Sequence, residues 1–193
     1  MNKKPKLLWI GDIVAKTGFA RETENVLPFI KDDFDITVLG NNWWGDPSPL
    51  QKIYTMYPSS NRFQTAPFGE ERIREIVMKI EPDIIFTIND MWIVNEQYKQ
   101  IQDMHKDGRF KFVGYVPMDS YNWVGCLTDT ANDWDGIVSY TEFGAREFIK
   151  AGIEKPIAVI PHGVTEGQFY PVEKKEARKK LKLADDLFIV FNG

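Results

Sequence analysis

Six short apolar runs punctuate the chain, at residues 7–10, 36–39, 84–88, 112–116, 137–138 and 157–160. None of them alternates apolar with polar residues. A strand with one wet face alternates at a period of two, whereas a strand covered on both faces reads as a continuous apolar stretch. Sheets covered on both faces are mostly parallel sheets with helices laid over them. The segments between the runs fit that demand. Phe19, Thr23, Val26, Leu27 and Ile30 share one helical face, and Ile73, Ile76, Val77 and Ile80 follow the i, i+3, i+4, i+7 spacing. Val94, Tyr98, Ile101 and His105 line up in the same way behind Asn89 and Asp90, an N-cap pair. Thr141 caps a further helix carrying Ala145, Phe148 and Ile149, and Gly152 ends it. Strand and helix in repeated alternation predict an α/β fold: a Rossmann-like, three-layer domain with a mainly parallel sheet and right-handed crossovers.

The tail reads differently. Pro171 and Val172 lead into a charged helix over 173–183, and residues 187–191 read as a new strand that runs into Asn192 and Gly193. A strand with no helix to return its chain looks like the first strand of a second domain cut off. The expected boundaries are therefore 1–170 for the first domain and 171–193 for the start of the second.

Charge and cysteine content exclude several classes. The 193 residues carry 24 basic and 28 acidic side chains, a formal charge of −4, which argues against an electrostatic nucleic-acid binder. Cys126 is the one cysteine, so no intrachain disulfide forms, and with only His105 and His162 beside it no metal site is expected. The apolar stretch at 7–10 stops at Gly11 and Asp12, too short for a signal core, and no run approaches a membrane span. The expectation is a soluble, cytoplasmic chain. The basic helix with Lys174, Lys175, Arg178, Lys179, Lys180 and Lys182 reads as a solvated face, with weak contact to an anionic membrane as the alternative.

In open parallel sheets ligands bind beyond the carboxyl ends of the strands, where crossovers diverge. That rule selects residues 11–18, 41–49, 89–92, 117–123, 139–142 and 161–167, and with them Asp12, Asn89 and Asp90. The first turn lacks the glycine that a Walker-type loop needs before Lys16 and Thr17, and it lacks G-x-G-x-x-G. What remains is a loop opening a helix at Thr17 and Gly18, whose backbone N–H groups suit a phosphate or carboxylate; a plain strand-to-helix turn is the alternative. Asp133-Trp134-Asp135 spells D-x-D but precedes a strand, so it reads, like Asp32, Asp33 and Asp35, as a solvated helix end. The segment 117–123 offers Asp119 and Asn122 with Tyr121 and Trp123, a mixture that suits sugars: polar groups for hydroxyls, rings for C–H faces. Trp43 and Trp44, flanked by Asn41, Asn42 and Asp46, make the same combination on a loop, with core packing as the alternative reading. His105 reads as structural or exposed. His162, directly after a strand, is either a loop-stabilising residue or a ligand contact.

Taken together, Ile157-Ala158-Val159-Ile160-Pro161-His162-Gly163-Val164, then Phe169-Tyr170-Pro171, Ala177-Arg178-Lys179-Lys180-Leu181 and Phe188-Ile189-Val190, resemble the interdomain stretch of glycosyltransferase family 4, enzymes of the GT-B fold. Ser139-Tyr140-Thr141-Glu142-Phe143-Gly144 is similar to the turn that precedes it, and Tyr115-Val116-Pro117-Met118-Asp119 to a variant found in some members. The resemblance implies the N-terminal, acceptor-side domain of a retaining, metal-independent transferase that moves a sugar from a nucleotide-sugar to a carbohydrate or glycan acceptor. It needs no cofactor beyond that co-substrate. It implies Asp119 near the reacting sugar carbon, with Thr17, Gly18 and His162 toward the donor phosphates. Acceptor contacts would come from Asp12, Trp43, Trp44, Asn89, Asp90, Tyr121 and Trp123, and a C-terminal donor-binding domain would complete the site in cis or in trans. The alternatives are a non-catalytic binding module, one half of a split two-chain transferase, or an epimerase of the same two-domain fold.

Overall fold

The computed structural model describes residues 3–60, 66–123, 125–164, 167 and 170–190, with 126 and 127 by backbone only. The chain divides into two compact units, Met1–His162 and Gly163–Gly193. The first alternates strands and helices in the order β1 (Lys6–Asp12), α1 (Gly18–Ile30), β2 (Asp35–Asn41), β3 (Thr55–Pro58), α2 (Ile73–Ile80), β4 (Ile84–Ile88), α3 (Met91–Lys99), α4 (Gln102–Lys106), β5 (Lys111–Val116), α5 (Gly125–Thr128), β6 (Gly136–Ser139), α6 (Glu142–Lys150) and β7 (Ile157–Val159). Among the described residues the seven strands are all parallel and stand in the order β3-β2-β1-β4-β5-β6-β7. This is the Rossmann-like α/β domain that the alternation predicts.

The unbroken apolar runs have the expected cause. Along β1, Leu8 and Ile10 enter one core with Leu39, Ile76, Ile85, Phe112 and Phe148, while Leu7 and Trp9 enter the other with Leu27 and Val38. Residues of opposite parity are thus both buried, and few polar positions are left inside the central runs, among them Thr37 and the buried Thr87, which donates to Gln97 at 2.8 Å. Helices α2, α3 and α6 cover the first face and α1 the second. Gly114 on β5 lies flat against Trp134: a Cβ there would stand 2.6 Å from the Trp134 ring.

Three local expectations change. β3 has no apolar run to announce it, because an edge strand pairs on one side and stays half exposed; Pro58 closes it, as a proline can where one backbone edge faces away from the ladder. The pattern Val94, Tyr98, Ile101 and His105 is split between α3 and α4, with Ile101 as the non-helical step between them. Its buried face survives the break. Tyr98 and Ile101 are fully buried, and the Tyr98 hydroxyl meets His105 Nδ1 at 2.7 Å. On the same amino-terminal side of the sheet, Asp135 accepts from the Phe112 N–H at 2.8 Å and from Lys111 Nζ at 2.9 Å, and it sits 2.7 Å from His105 Nε2. The D-x-D aspartate is therefore a structural clasp for β5. Among the described residues no group of three His, Cys, Asp or Glu is placed to hold a metal ion.

The second unit contains α7 (Lys174–Lys180). Arg178 is buried within it, donating to the Ala184 carbonyl and, at 2.7 Å, to the Leu187 carbonyl, so the basic helix is not wholly a solvated face. Among the described residues, 187–190 of the strand expected over 187–191 join no ladder. A β-strand needs a neighbour for its N–H and C=O groups, and here the Phe188 and Val190 side chains stay exposed. Residues 165, 169 and 191–193 of the expected motif and tail lie outside the described residues. No helix among the described residues is long and apolar enough to cross a membrane.

Candidate functional site

The sheet order places a topological switch between β1 and β4. From β1 the chain crosses through α1 to β2 and β3 on one side; it then returns through α2 to β4 on the other. Connections that leave in opposite directions open a crevice at the carboxyl ends of these two strands. A cleft of about 590 Å³ lies there. Its lining comes from Asp12 at the end of β1, the first turns of α1, Asn89 and Asp90 at the end of β4, Trp92 on α3, Asn42 after β2 and His162 after β7.

Asp12 organises the loop side. It is 2% exposed, and its two oxygens are both engaged: the Thr17 hydroxyl donates to one at 2.5 Å and Asn42 Nδ2 to the other at 2.8 Å. Thr17 in turn caps α1, accepting from the Ala20 N–H at 3.1 Å. One carboxylate thereby ties the end of β1, the start of α1 and the loop after β2, where Asn42 holds a left-handed backbone at φ 52°. Gly18 stands exposed as the first residue of α1, with nothing within 4 Å of a would-be Cβ.

The β4 side carries a second carboxylate. Asn89 is buried and its side-chain oxygen accepts from the Asp90 N–H at 2.9 Å. Asp90 occupies the N-cap position of α3 but makes no side-chain cap bond. Burial, with the negative charge of Asp119 added to it, raises the Asp90 pKa above the ordinary carboxylate value. Asp119, expected near the reacting carbon, is exposed just beyond β5 and within electrostatic reach of the cleft wall.

At the far wall His162 is held by rings. Its imidazole centroid lies 4.0 Å from that of Tyr140 and 5.4 Å from that of Tyr115, and Nδ1 is 3.5 Å from Glu22 Oε1. Tyr115 donates to the Ile160 carbonyl at 2.6 Å, which pins the exit of β7 two residues before His162. Burial lowers the His162 pKa below its ordinary value of 6.5, against the opposing attraction of Glu22. Burial raises the Tyr140 pKa, with smaller contributions from Tyr115, Asp90 and Glu22, and pushes Tyr115 up to about 12. Both phenols are neutral at any physiological pH.

The aromatic candidates divide by exposure. Trp43 is 2% exposed, its indole N–H donates to the Asp46 carbonyl at 2.9 Å, and its ring fills the space above Gly40. This corrects the pairwise expectation: Trp43 is a core residue, and Trp44, about half exposed, alone presents a face. Trp123 is partly buried against Phe148, with its N–H on Ser120 Oγ at 2.7 Å, whereas Tyr121 is exposed with its ring edge-on to Phe143. The sequence reading missed two side chains that matter. Trp92, about half exposed and edge-on to Phe68, lines the cleft, and Glu22 faces His162. Trp92 sits in a segment that the strand-end rule had selected; Glu22, one turn into α1, carried no signal of its own.

No family model matches the chain, and no curated protein matches it. Among solved structures it is similar to a UDP-glucosyltransferase from Polygonum tinctorium, capable of glucosylating indoxyl, in complex with 3,4-dichloroaniline. The identity is 9%, the match covers 85% of this chain and 54% of that one, and the TM-score is 0.50. At that identity the likeness speaks for the fold alone. The chain spans about half the length of the structure it matches, and the shared part is a Rossmann-like α/β domain.

Proposed function

We propose that this chain is the acceptor-side domain of a glycosyltransferase that takes its sugar from a nucleotide-sugar. The observation that carries the reading is the cleft at the β1/β4 switch point. Carboxylates at Asp12, Glu22 and Asp90, an amide at Asn89 and the half-exposed ring of Trp92 meet there. Hydrogen-bond acceptors beside an aromatic face suit a sugar, whose hydroxyls donate and whose C–H faces stack. The fold likeness and the resemblance of residues 157–164 to the family 4 interdomain turn support the same reading.

In this reading the transfer is retaining and metal-independent. Thr17 and Gly18, at the exposed start of α1, face the donor diphosphate, where the helix dipole favours negative charge. Asp119 sits near the anomeric carbon, and its charge stabilises the oxocarbenium character of the transition state. Residues 171–193 begin the donor-binding domain, which acts in cis or in trans.

The test is acceptor-dependent release of nucleoside diphosphate by the full protein, measured across UDP-, GDP- and ADP-sugars with neutral glycosides as acceptors. Transfer should be seen with at least one donor, with the anomeric configuration retained in the product by NMR. Asp119→Ala should lower kcat/KM by about 10²–10³-fold without loss of fold. Absence of acceptor-dependent release across the panel refutes the transferase, and wild-type turnover in Asp119→Ala refutes the role of Asp119.

A further inference from the structure

The charges that line the cleft do not balance. Asp12, Glu22 and Asp90 supply three carboxylates, and Arg21 is the basic side chain among the described lining residues. Arg21 stands exposed on α1 and pairs with none of the three among the described residues. Asp12 is already engaged by Thr17 and Asn42. Glu22 has the His162 ring at 3.5 Å, and burial holds that imidazole toward its neutral form. Asp90 makes no side-chain cap bond on α3, and the like charge of Asp119 bears on it. The charges of Asp90 and Glu22 both reach the Tyr140 phenol, so these two carboxylates share a neighbourhood. A partly buried carboxylate without a cation is costly, and a ligand that brings one offsets the cost.

A hydrogen-bond donor stands beside these acceptors. Asn89 is 3% exposed and lines the cleft. Its Oδ1 is taken by the Asp90 N–H, which fixes the way the amide points and leaves Nδ2 without a partner among the described residues. A buried amide donor calls for an oxygen. From these groups we infer that the acceptor of this cleft is an amino sugar, its ammonium met by Glu22 and Asp90 and a ring oxygen by Asn89 Nδ2. The inference rests on the transferase reading above and deepens it by naming the class of acceptor.

The chemistry of such a ligand matches the lining group by group. An ammonium carries three N–H donors, which two carboxylates can accept with charge on both sides of the bond. The half-exposed Trp92 ring suits the C–H face of the sugar and also attracts a cation. A neutral glycoside fits the same space but leaves both carboxylates uncompensated. A divalent metal fits less well, since among the described residues no three His, Cys, Asp or Glu come together to hold one. The ammonium has no lone pair, so it anchors the acceptor while a hydroxyl elsewhere on the ring receives the transferred sugar. Its charge also serves the donor. Glu22 lies one turn from Gly18, where the diphosphate is expected, and a cation bound beside Glu22 lowers the repulsion that the diphosphate would meet.

Binding and transfer by the full protein test this together. The ligands are methyl glucoside, its analogues with each hydroxyl in turn replaced by an amine, and the N-acetylated form of each amine. Calorimetry at neutral pH should show one amine bound about 10–100-fold more tightly than methyl glucoside, and N-acetylation should remove the gain. The same amine should show the highest kcat/KM as acceptor with whichever nucleotide-sugar is consumed. In Asp90→Asn and Glu22→Gln, each checked for folding by its urea midpoint, the ratio of amine to neutral affinity should fall toward one. If no amine outbinds methyl glucoside by more than about threefold in wild type, the inference is wrong whatever the variants do. If sugar is then still transferred to the neutral glycoside, the transferase reading stands without it. A preference that survives both substitutions places the ammonium elsewhere and also overturns the inference. If an amine is preferred through Asp90 and Glu22 but no donor is consumed, the cation site holds and the transferase reading falls.

Discussion

Removing the Asp12 carboxylate should unfasten the loop side of the cleft at a measurable cost. Asp12 is almost wholly buried and accepts two charge-assisted hydrogen bonds, from Thr17 Oγ1 at 2.5 Å and from Asn42 Nδ2 at 2.8 Å. Such bonds contribute about 1.5–3 kcal/mol each when one partner is charged. They share a single acceptor group and do not add in full, so Asp12→Ala should destabilise the domain by about 2–4 kcal/mol. With a urea m-value of about 2 kcal/mol/M, that moves the unfolding midpoint down by about 1–2 M. Asp12→Asn should cost roughly half as much: its carbonyl can still accept from Thr17, and an amide turn at Asn42 restores a neutral partner. The discriminating measurement is a double-mutant cycle of Asp12→Ala with Thr17→Val, read by urea unfolding. Because the two side chains touch, a coupling of about 0.5–3 kcal/mol is expected. A midpoint unchanged in Asp12→Ala, or a coupling indistinguishable from zero, would mean that the contact adds nothing to stability and that Asp12 is not what ties β1 to α1.

Gly114→Ala places a methyl 2.6 Å from the Trp134 ring in the middle of the sheet, so it should destabilise by about 1–3 kcal/mol in urea unfolding, whereas Gly18→Ala, with open space at its Cβ, should be neutral or stabilising by up to about 1 kcal/mol. Asp135 gives a pH signature. Burial alone would raise its pKa, but hydrogen bonds from Lys111, the Phe112 N–H and His105 hold it below the ordinary carboxylate value. A group depressed in the folded state contributes stability that is fully present above its unfolded value near 3.8 and is lost as pH falls through the folded value. Asp135→Asn should therefore lower stability by more at pH 7 than at pH 2, measured by thermal unfolding across that range; an equal loss at both pH values would sink the argument.

The fold was legible where burial is symmetric. β1, β2, β4 and β5 are sandwiched between helices, so positions of both parities along them are under a demand for apolar side chains, and the runs at 7–10, 36–39, 84–88 and 112–116 follow. Where burial is asymmetric the signal fades. β3 is paired on one side only and reads Thr-Met-Tyr-Pro, a string that a turn could equally carry. Residues 187–190 show the reverse case. Their composition is that of a buried strand, but strand formation is a property of a pair, and among the described residues they have no ladder neighbour. Local pattern states what a segment can tolerate, while topology decides what it does.

The site was legible to the level of segments and no further, for a related reason. The rule that ligands gather beyond strand carboxyl ends depends only on strand order, and it selected the stretches that carry Asp12, Asn89, Asp90, Trp92 and His162. It cannot say which side chain in a stretch turns inward. Trp43 and Trp44 are adjacent and chemically identical, yet a single step along the loop sends one over Gly40 into the core and leaves the other in water. Nor can a strand-end rule reach a residue on a helix. Glu22 lies one turn into α1, and only the segment that follows β7, pinned by Tyr115 at the Ile160 carbonyl, brings His162 to within 3.5 Å of it. The sequence separation between those two residues spans nearly the whole first unit. A contact of that kind is a product of the complete strand order. Its chemistry, a neutral imidazole backed by a carboxylate in a cleft of acceptors, is a property of the folded sheet edge that neither residue carries alone.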